Sequence, residues 1–288
     1  MDSSKSSKKL NTPARRTLKR FVGNRLALFC LVLFILILLG CIFAPLFTNE
    51  SPTELNLGNT RQAPSMAHPM GTDVLGRDIL ARMLYGGRTT FRICSIAVLL
   101  SSVFGLLFGL LSGFFGGRLD LAISRVNDAL ASIPTFLLAI FVEVMTGSGK
   151  GNYMYAIALA LTPPLVRLTR NLVMSIMGSE YIEAARALGV KNSRIITGHV
   201  LRNIAGPVIV QLFANFSEAI LTCTIMGYLG LGVHSPRMEW GTVIKDGFGS
   251  ILSAPLQIAM PCLIVFICVL SLNIVGSGVR DALSGEEE

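Results

Sequence analysis

The sequence predicts an all-α integral membrane protein with six transmembrane helices. Hydrophobic residues make up 52% of the 288 residues and charged residues only 15%, against roughly 25% charged in soluble domains. Six apolar runs approach the length of about 20 residues that a helix needs to cross the hydrocarbon core. Lys and Arg are unevenly divided between the segments that join these runs, as the positive-inside rule requires. These three observations exclude an ordinary soluble enzyme or binding domain.

The predicted spans are, in chain order, 26–47, 93–115, 132–145 with its flanks, 153–174, 204–226 and 256–274. The third span has the weakest pattern because Pro134 interrupts it and Glu143 lies inside it. The runs divide the chain into a basic tail at 1–25, a first transmembrane helix at 26–47, an extracytoplasmic segment at 48–92, a core of five helices at 93–276 with a polar loop at 178–203, and a second tail at 277–288.

The distribution of basic residues predicts the orientation. With the N-terminus inside, 17 of the 25 Lys and Arg residues lie on the cytoplasmic side, which favours both termini inside. The net charge of +8 therefore indicates membrane topology, and we expect no nucleic-acid partner. A signal peptide is the competing interpretation of the first run, but the run is longer than a signal-peptide apolar region and fits a membrane anchor.

The second span contains four glycines at intervals of four residues, which places them on one helix face. They are Gly105, Gly109, Gly113 and Gly117. Small residues on one face allow two helix backbones to approach closely. This pattern fits the packed core of a transporter, and it fits any other bundle of membrane helices equally well.

The sequence offers no metal, nucleotide or other cofactor site. The six cysteines lie almost entirely within apolar runs and form no Cys-x-x-Cys pair, so we interpret them as small buried hydrophobic residues. His68, His199 and His234 are far apart and lack acidic neighbours at metal-ligand spacing. The Gly147–Gly151 stretch lacks the spacing of a phosphate-binding loop and predicts a short polar turn.

The polar segment after the fourth span predicts two short helices. Ser179 is placed to cap the first helix, acidic residues follow in its early turns, and Gly189 is suited to its C-terminal turn. Asn192 or Ser193 can cap the second helix, which we expect to continue to Leu201. Such a projection between two spans suits docking into a groove of another protein, and a solvated loop is the alternative.

The residues of this segment resemble the EAA loop of ABC importer permeases. The matching positions are Glu183, Ala184, Ala185, Gly189 and Leu201. In that family the loop is the coupling helix that docks on the ATPase subunit, so the resemblance implies an ATPase-coupling role for these five residues. The family usually has Pro after the Leu, and Arg202 in its place implies a less abrupt end to the second helix.

Further motifs narrow the resemblance to the C-type permeases of the dipeptide, oligopeptide and nickel family. They are His68–Asp78 with Tyr85–Arg88, Ser112–Asp120, Leu229–Gly232 with Glu239–Gly241, and Asn273–Leu283. Together they span the chain from about His68 to Leu283 in the family's order. The resemblance implies a type I ABC importer permease core preceded by one extra N-terminal helix, in the inner membrane of a prokaryote.

The resemblance also implies partners and cargo. Such a chain forms half of a translocation pathway with a second homologous permease, two ATP-binding subunits that hold ATP and Mg, and an extracytoplasmic solute-binding protein, all within membrane lipid. Di- and oligopeptides are the expected cargo, with nickel, a metal chelate or glutathione as alternatives. A stand-alone channel or a membrane-embedded enzyme is the interpretation of a different class. An enzyme needs paired acids or metal ligands at one depth, and a channel needs no docking helix.

Two further groups of residues are candidate site residues. Ionisable groups near spans are functional candidates by default, so Glu218 with Asn215 and Asn273 could line the pathway or could tie helices together. The candidate extracytoplasmic contacts are Asp73, Arg77, Asp78, Glu239, Trp240 and Asp246. We expect the outer loop at 227–255 to contact the binding protein or the partner permease, and a purely structural role is the alternative.

Overall fold

The computed structural model describes residues 13–147, 153–233 and 236–284, and its regular elements are helices. The first six helices are α1 (Pro13–Gly23), α2 (Arg25–Ile42), α3 (Ala44–Phe47), α4 (Ile79–Phe115), α5 (Gly117–Ala131) and α6 (Thr135–Thr146). The remaining six are α7 (Tyr153–Met177), α8 (Glu180–Ala187), α9 (Asn192–Ile195), α10 (Leu201–Leu229), α11 (Trp240–Phe248) and α12 (Leu256–Ser284). Residues 148–152 and His234, which entered the predictions above, lie outside the described ranges.

Among the residues that the structure describes, four helical stretches are long and apolar enough to cross a membrane: α2, α4, the continuous stretch Asn192–Leu229, and α12. A fifth span results if α5 and α6, which are bent by 95° relative to each other, count as one. The prediction of an all-helical membrane protein is therefore confirmed. The number of six spans and the side on which the termini lie stay predictions.

The third predicted span is a broken element. Its helical part, α6, has 12 residues and is only about 18 Å long at 1.5 Å per residue, too short to cross about 30 Å of hydrocarbon. Pro134 immediately precedes α6, and its ring disfavours helical geometry at the residue before it. The chain therefore turns sharply between α5 and α6.

Helix α4 begins at Ile79, well before the predicted start of the second span at residue 93. Its 37 residues give a length of about 55 Å, so the helix extends beyond the hydrocarbon. Its early turns stay helical because their charged side chains have partners. Arg88, for example, donates from Nε to the carbonyl oxygen of Cys41 at 2.7 Å and from an Nη to that of Ile42 at 2.6 Å.

The glycine face of α4 packs closely against α7, as its spacing predicts. The pairs in contact are Gly105 with Leu165, Gly109 with Thr169, and Gly113 with Val173. A Cβ atom on these glycines would lie only 2.5–2.8 Å from the α7 side chains. Gly117 does not join this face, because α4 ends at Phe115 and Gly117 starts α5 with φ of +59°.

The two ends of α4 define two ends of the bundle. At the Phe115 end, the Arg186 guanidinium of α8 lies 5.9 Å from the Phe114 ring. At the Ile79 end, Gln257 in the first turn of α12 donates to the carbonyl oxygen of Thr72 at 2.7 Å. The loop that contains α8 and the segment that precedes α4 therefore lie at opposite ends of the bundle.

Candidate functional site

Helix α8 begins where the sequence predicts. Ser179 occupies the N-cap position, but its hydroxyl donates to the carbonyl oxygen of Ile176 and makes no capping bond to an α8 amide. Glu180 and Glu183 lie in the first turn, where negative charge is favourable against the helix dipole. The start of α8 is thus set by backbone geometry and charge more than by a side-chain cap.

Gly189 ends α8 in a Schellman turn. Its φ of +75° lies in the left-handed region that glycine adopts without steric cost. The Gly189 amide donates to the carbonyl oxygen of Arg186 at 2.9 Å, and the Val190 amide donates to that of Ala185 at 3.1 Å. These two bonds are those of the Schellman motif, and they fix the direction in which the chain leaves α8.

Helices α8 and α9 have one buried face and one open face. Ile182 and Ile195 are fully buried in an apolar cluster that includes Val173 of α7. Ala185 is half-buried, whereas Glu183, Ala184, Ala187 and Gly189 are exposed. Leu188 is 84% exposed. We call the exposed surface of residues 183–189 the α8 face; it combines small side chains with the exposed charged side chains of Glu183 and Arg186 and the apolar side chain of Leu188.

The second helix of the loop differs from the prediction at both ends. It begins with Lys191 at the N-cap position and has no side-chain capping bond, so the predicted cap by Asn192 or Ser193 is wrong. It does not end near Leu201, which is half-buried; a π-helical turn at 196–200 joins α9 to α10 in one helical stretch. Arg202 keeps the backbone N–H that Pro would remove, so the second helix has no break there.

Four charged side chains form a network at the Ile79 end of α4, which we call the arginine clamp: Asp73, Arg77, Arg82 and Asp246. Arg82 reaches a carboxylate oxygen of Asp73 at 2.6 Å and one of Asp246 at 2.7 Å. Arg77 binds the same two oxygens at 2.7 and 2.9 Å. Asp73 also accepts the amides of Leu75 and Arg77. The clamp joins the segment before α4 to α4 itself and to α11.

Asp78 starts α4. Its Oδ1 accepts the amide of Ala81 at 2.6 Å, which is the N-cap bond of the helix. Its Oδ2 lies 2.9 Å from Nδ1 of His68. Asp78 is 4% exposed, so both carboxylate oxygens are used within the chain.

Glu239 occupies a buried site lined by glycines. Its Oε2 accepts the Tyr153 hydroxyl at 2.5 Å and the Cys223 thiol at 3.3 Å, and its Oε1 accepts the Val233 amide at 3.2 Å. A Cβ atom on Gly232 would collide with this carboxylate, so the glycine leaves the space that the acid fills. Burial raises the pKa of the Glu239 carboxyl above its usual range.

Trp240 is the next residue and is fully buried. Its indole Nε1 donates to the carbonyl oxygen of Met83 at 2.9 Å, and its amide donates to the Thr90 hydroxyl at 3.2 Å. The ring also packs edge-on against Phe91 at 5.2 Å between centroids. Trp240 therefore fixes the start of α11 against α4.

The candidate extracytoplasmic contacts lie mostly inside the chain. Asp73, Asp78, Glu239 and Trp240 are each at most 4% exposed and bind other parts of the same molecule. Of the six candidates, only Asp246 and Arg77 keep appreciable exposed side-chain surface, 36% and 16%. Buried side chains cannot offer surface to another protein, so this geometry favours the structural alternative for the four buried residues.

The candidate pathway residues have different environments. Asn215 is 3% exposed; its Oδ1 accepts a bond from Gln211, and its Nδ2 lies 3.4 Å from the carbonyl oxygen of Leu161 in α7. Glu218 is half-buried on α10. Asn273 is exposed and donates to the carbonyl oxygen of Val269 in its own helix. Asn215 thus ties two helices together, while Glu218 and Asn273 keep accessible surface.

Three important residues were not singled out by the sequence. Arg82 was counted only as a loop charge, although it follows the helix cap Asp78 by one turn. Tyr153 begins an apolar run, and nothing in its neighbourhood indicates its bond to a carboxylate 86 residues later. Leu188 is an apolar residue in a polar segment, and that contrast was the available signal.

Two family descriptions match the chain. "Binding-protein-dependent transport system inner membrane component" matches residues 105–285, and "N-terminal TM domain of oligopeptide transport permease C" matches residues 12–64. A dipeptide transport system permease protein of Alkalihalophilus pseudofirmus is 40% identical over 94% of this chain and 90% of its own length. An oligopeptide transport system permease protein of Bacillus subtilis is 35% identical over 98% and 92%. A glutathione transport system permease protein of Pectobacterium atrosepticum is 33% identical over 96% and 92%.

The fold also resembles a solved structure. A chain of the MetNI methionine ABC transporter, in an inward-facing conformation, superposes with a TM-score of 0.59 at 18% identity. The match covers 70% of this chain and 96% of the other. At this identity the likeness concerns the fold alone, and it supports a type I ABC permease fold for the bundle.

Proposed function

The chain belongs to the family of binding-protein-dependent transport system inner membrane components, and from this premise we propose that it is the permease subunit of an ATP-driven peptide importer. It forms half of the pathway through which dipeptides or oligopeptides cross the membrane. The relatives from Alkalihalophilus pseudofirmus and Bacillus subtilis, which are named for dipeptide and oligopeptide transport, support this cargo. The Pectobacterium atrosepticum relative keeps glutathione as a second candidate.

The complete importer contains a second homologous permease, two ATP-binding subunits and an extracytoplasmic solute-binding protein. ATP and Mg belong to the ATP-binding subunits. The chain crosses the inner membrane of a prokaryote six times with both termini in the cytoplasm, so that the Phe115 end of the bundle lies inside and the Ile79 end lies outside. The excess of basic residues in the segments assigned to the cytoplasm supports this orientation.

The α8 face is the observation that carries the coupling proposal. Its alanine side chains leave room for a partner surface, and the exposed apolar side chain of Leu188 is suited to a groove on an ATP-binding subunit. Ile182 and Ile195 anchor α8 and α9 in the apolar cluster, so the two helices move together. Because α9 is continuous with α10, a displacement of the docked face tilts a helix that crosses the membrane.

The residues at the Ile79 end keep a structural role in this proposal. The arginine clamp and the Glu239 site hold α11 and the segment before α4 against the bundle. Asp246 and Arg77 are the two candidates exposed enough to contact the solute-binding protein. Glu218 is the candidate that we assign to the pathway wall, because it is an ionisable residue on α10 that is only partly buried.

The test is recovery of the ATP-binding subunits with the tagged chain. Leu188→Asp places a charge in the docking contact, and Leu252→Asp is its matched control, because Leu252 is 98% exposed at the opposite end of the bundle. Exposed positions contribute little to folding stability, so both variants insert normally. We expect Leu188→Asp to lose the ATP-binding subunits and Leu252→Asp to retain them. Equal recovery with both variants would contradict docking through the α8 face.

A further inference from the structure

Helix α1 is a short amphipathic helix directly before the first spanning helix. Its sequence contains no acidic residue. Leu18, Phe21 and Val22 are spaced three and four residues apart and share one face. Arg16 and Arg20 lie on the opposite face, and Lys19 lies at the border between the two faces. The helix therefore carries separate apolar and basic faces.

Packing against α12 and the junction with α2 fix the position of α1. The Phe21 ring lies against Gly278 of α12, where a Cβ atom would come within 3.3 Å of it. Asn24 separates α1 from α2, and its side chain accepts the amide of Ala27 at 3.1 Å to cap α2. Because the apolar part of α2 starts immediately after this junction, α1 lies where the hydrocarbon core begins.

Much of both faces remains uncovered. Leu18 is 62% exposed and Val22 is 50% exposed. Arg16, Lys19 and Arg20 are exposed, and no carboxylate in the described ranges lies within ion-pairing distance of them. Within the part of the chain that the structure describes, these three neighbouring cations have no acidic partner, and they lie next to apolar side chains at the boundary of the membrane.

We propose that α1 is an interfacial helix that binds the anionic headgroups of phospholipids. Leu18 and Val22 insert at the boundary between headgroups and acyl chains, and the three basic side chains contact the lipid phosphates. A basic amphipathic helix with a polar and an apolar face is suited to this position. The inference concerns lipid chemistry alone, so it does not depend on the cargo or on docking of ATP-binding subunits.

The first test measures the lipid preference of the purified full-length chain in detergent. Dioleoyl phosphatidylglycerol, which is anionic, and dioleoyl phosphatidylcholine, which is zwitterionic, are titrated, and native mass spectrometry counts the retained lipids. The test variant is Arg16→Gln/Lys19→Gln/Arg20→Gln. The control, Lys191→Gln/Arg194→Gln/Arg202→Gln, removes the same charge from exposed positions in and beside α9 and at the start of α10.

We expect the wild-type chain and the control to prefer phosphatidylglycerol. The test variant should lose that preference by about tenfold or more, because three basic side chains no longer attract the anionic headgroups. Raising the salt concentration should weaken the preference through screening. An equal loss in both variants would overturn the proposal, as would a wild-type chain that retains the two lipids equally.

The second test locates the apolar face by fluorescence in nanodiscs that contain brominated phosphatidylcholine. Leu18→Trp and Arg20→Trp place a tryptophan on opposite faces of α1, and the native Trp240 is fully buried. We expect the bromine atoms to quench Leu18→Trp at least about twofold more than Arg20→Trp. Equal quenching would mean that α1 does not lie in the interface, and that its cations serve a protein partner instead.

Discussion

Gly189→Pro tests whether the geometry of α8 transmits force. The residue has φ of +75°, whereas proline requires about −65°, so the turn cannot form. The variant loses the bond from the Gly189 amide to Arg186, and the bond from the Val190 amide to Ala185 cannot survive the changed chain direction. At about 1 kcal/mol for each bond, the cost is about 2 kcal/mol, enough to unwind the last turn of α8.

Gly189→Asn is the matched control. A Cβ atom at this position meets no other atom within 4 Å, and asparagine tolerates the left-handed region better than other side chains. The assay is peptide uptake and ATP hydrolysis by the complete importer in proteoliposomes. We expect Gly189→Pro to insert normally and to hydrolyse ATP, but its rate of peptide uptake should fall by about tenfold or more. Gly189→Asn should take up peptide at nearly the wild-type rate. Normal uptake by Gly189→Pro would refute the reasoning.

Three further predictions concern stability, measured as the unfolding midpoint of the purified chain. Gly109→Ala places a Cβ 2.5 Å from the α7 side chain and should cost about 1–3 kcal/mol by overpacking, whereas Gly23→Ala, which contacts nothing, should be neutral. Arg82→Gln should cost about 1–3 kcal/mol because the buried Asp73 carboxylate loses a partner but keeps others. Arg167→Gln, which breaks an ion pair between two exposed side chains, should cost at most about 1 kcal/mol, and equal losses would contradict a stronger contribution from the buried clamp. Burial raises the pKa of Glu239, so its protonated form favours folding, and this contribution is lost as pH rises through the raised pKa. The unfolding midpoint of Glu239→Gln minus that of the wild type should therefore grow as the pH rises above 4.5, the ordinary pKa of the carboxyl. A difference that stays constant with pH would contradict the raised pKa.

Local patterns predicted the elements of the α8 loop well. The acids of its first turn and Gly189 at its end correctly indicated a short helix, because the start and stop of a helix depend on neighbouring residues. The same reasoning failed for the second helix of the loop. Asn192 and Ser193 are good capping residues in isolation, but the packing of Ile195 in the apolar cluster favours a helix that begins one residue earlier and continues into α10.

The predicted second span begins at residue 93, later than α4, which begins at Ile79. The difference arises because a hydropathy scale treats every arginine as if it were in contact with water. Arg82 and Arg88 made residues 79–92 resemble an extramembrane segment. In the folded chain, Asp73 and Asp246 neutralise Arg82, and the carbonyl groups at the end of α2 accept Arg88. Hydropathy does not register these partners, so it did not indicate that the polar segment after the helix cap Asp78 continues as a helix.

The sequence by itself determined the membrane class, the helical fold, the close-packed glycine face of α4 and the position of the α8 loop. Each of these depends on the composition or spacing of residues within one segment, where helical periodicity and the cost of burying polar groups act locally. The tertiary structure decided that Asp73, Asp78, Glu239 and Trp240 lie inside the chain, while Leu188 lies on its surface. Burial depends on which segments meet, and a carboxylate becomes an internal link only when distant donors such as Tyr153 and Arg82 reach it.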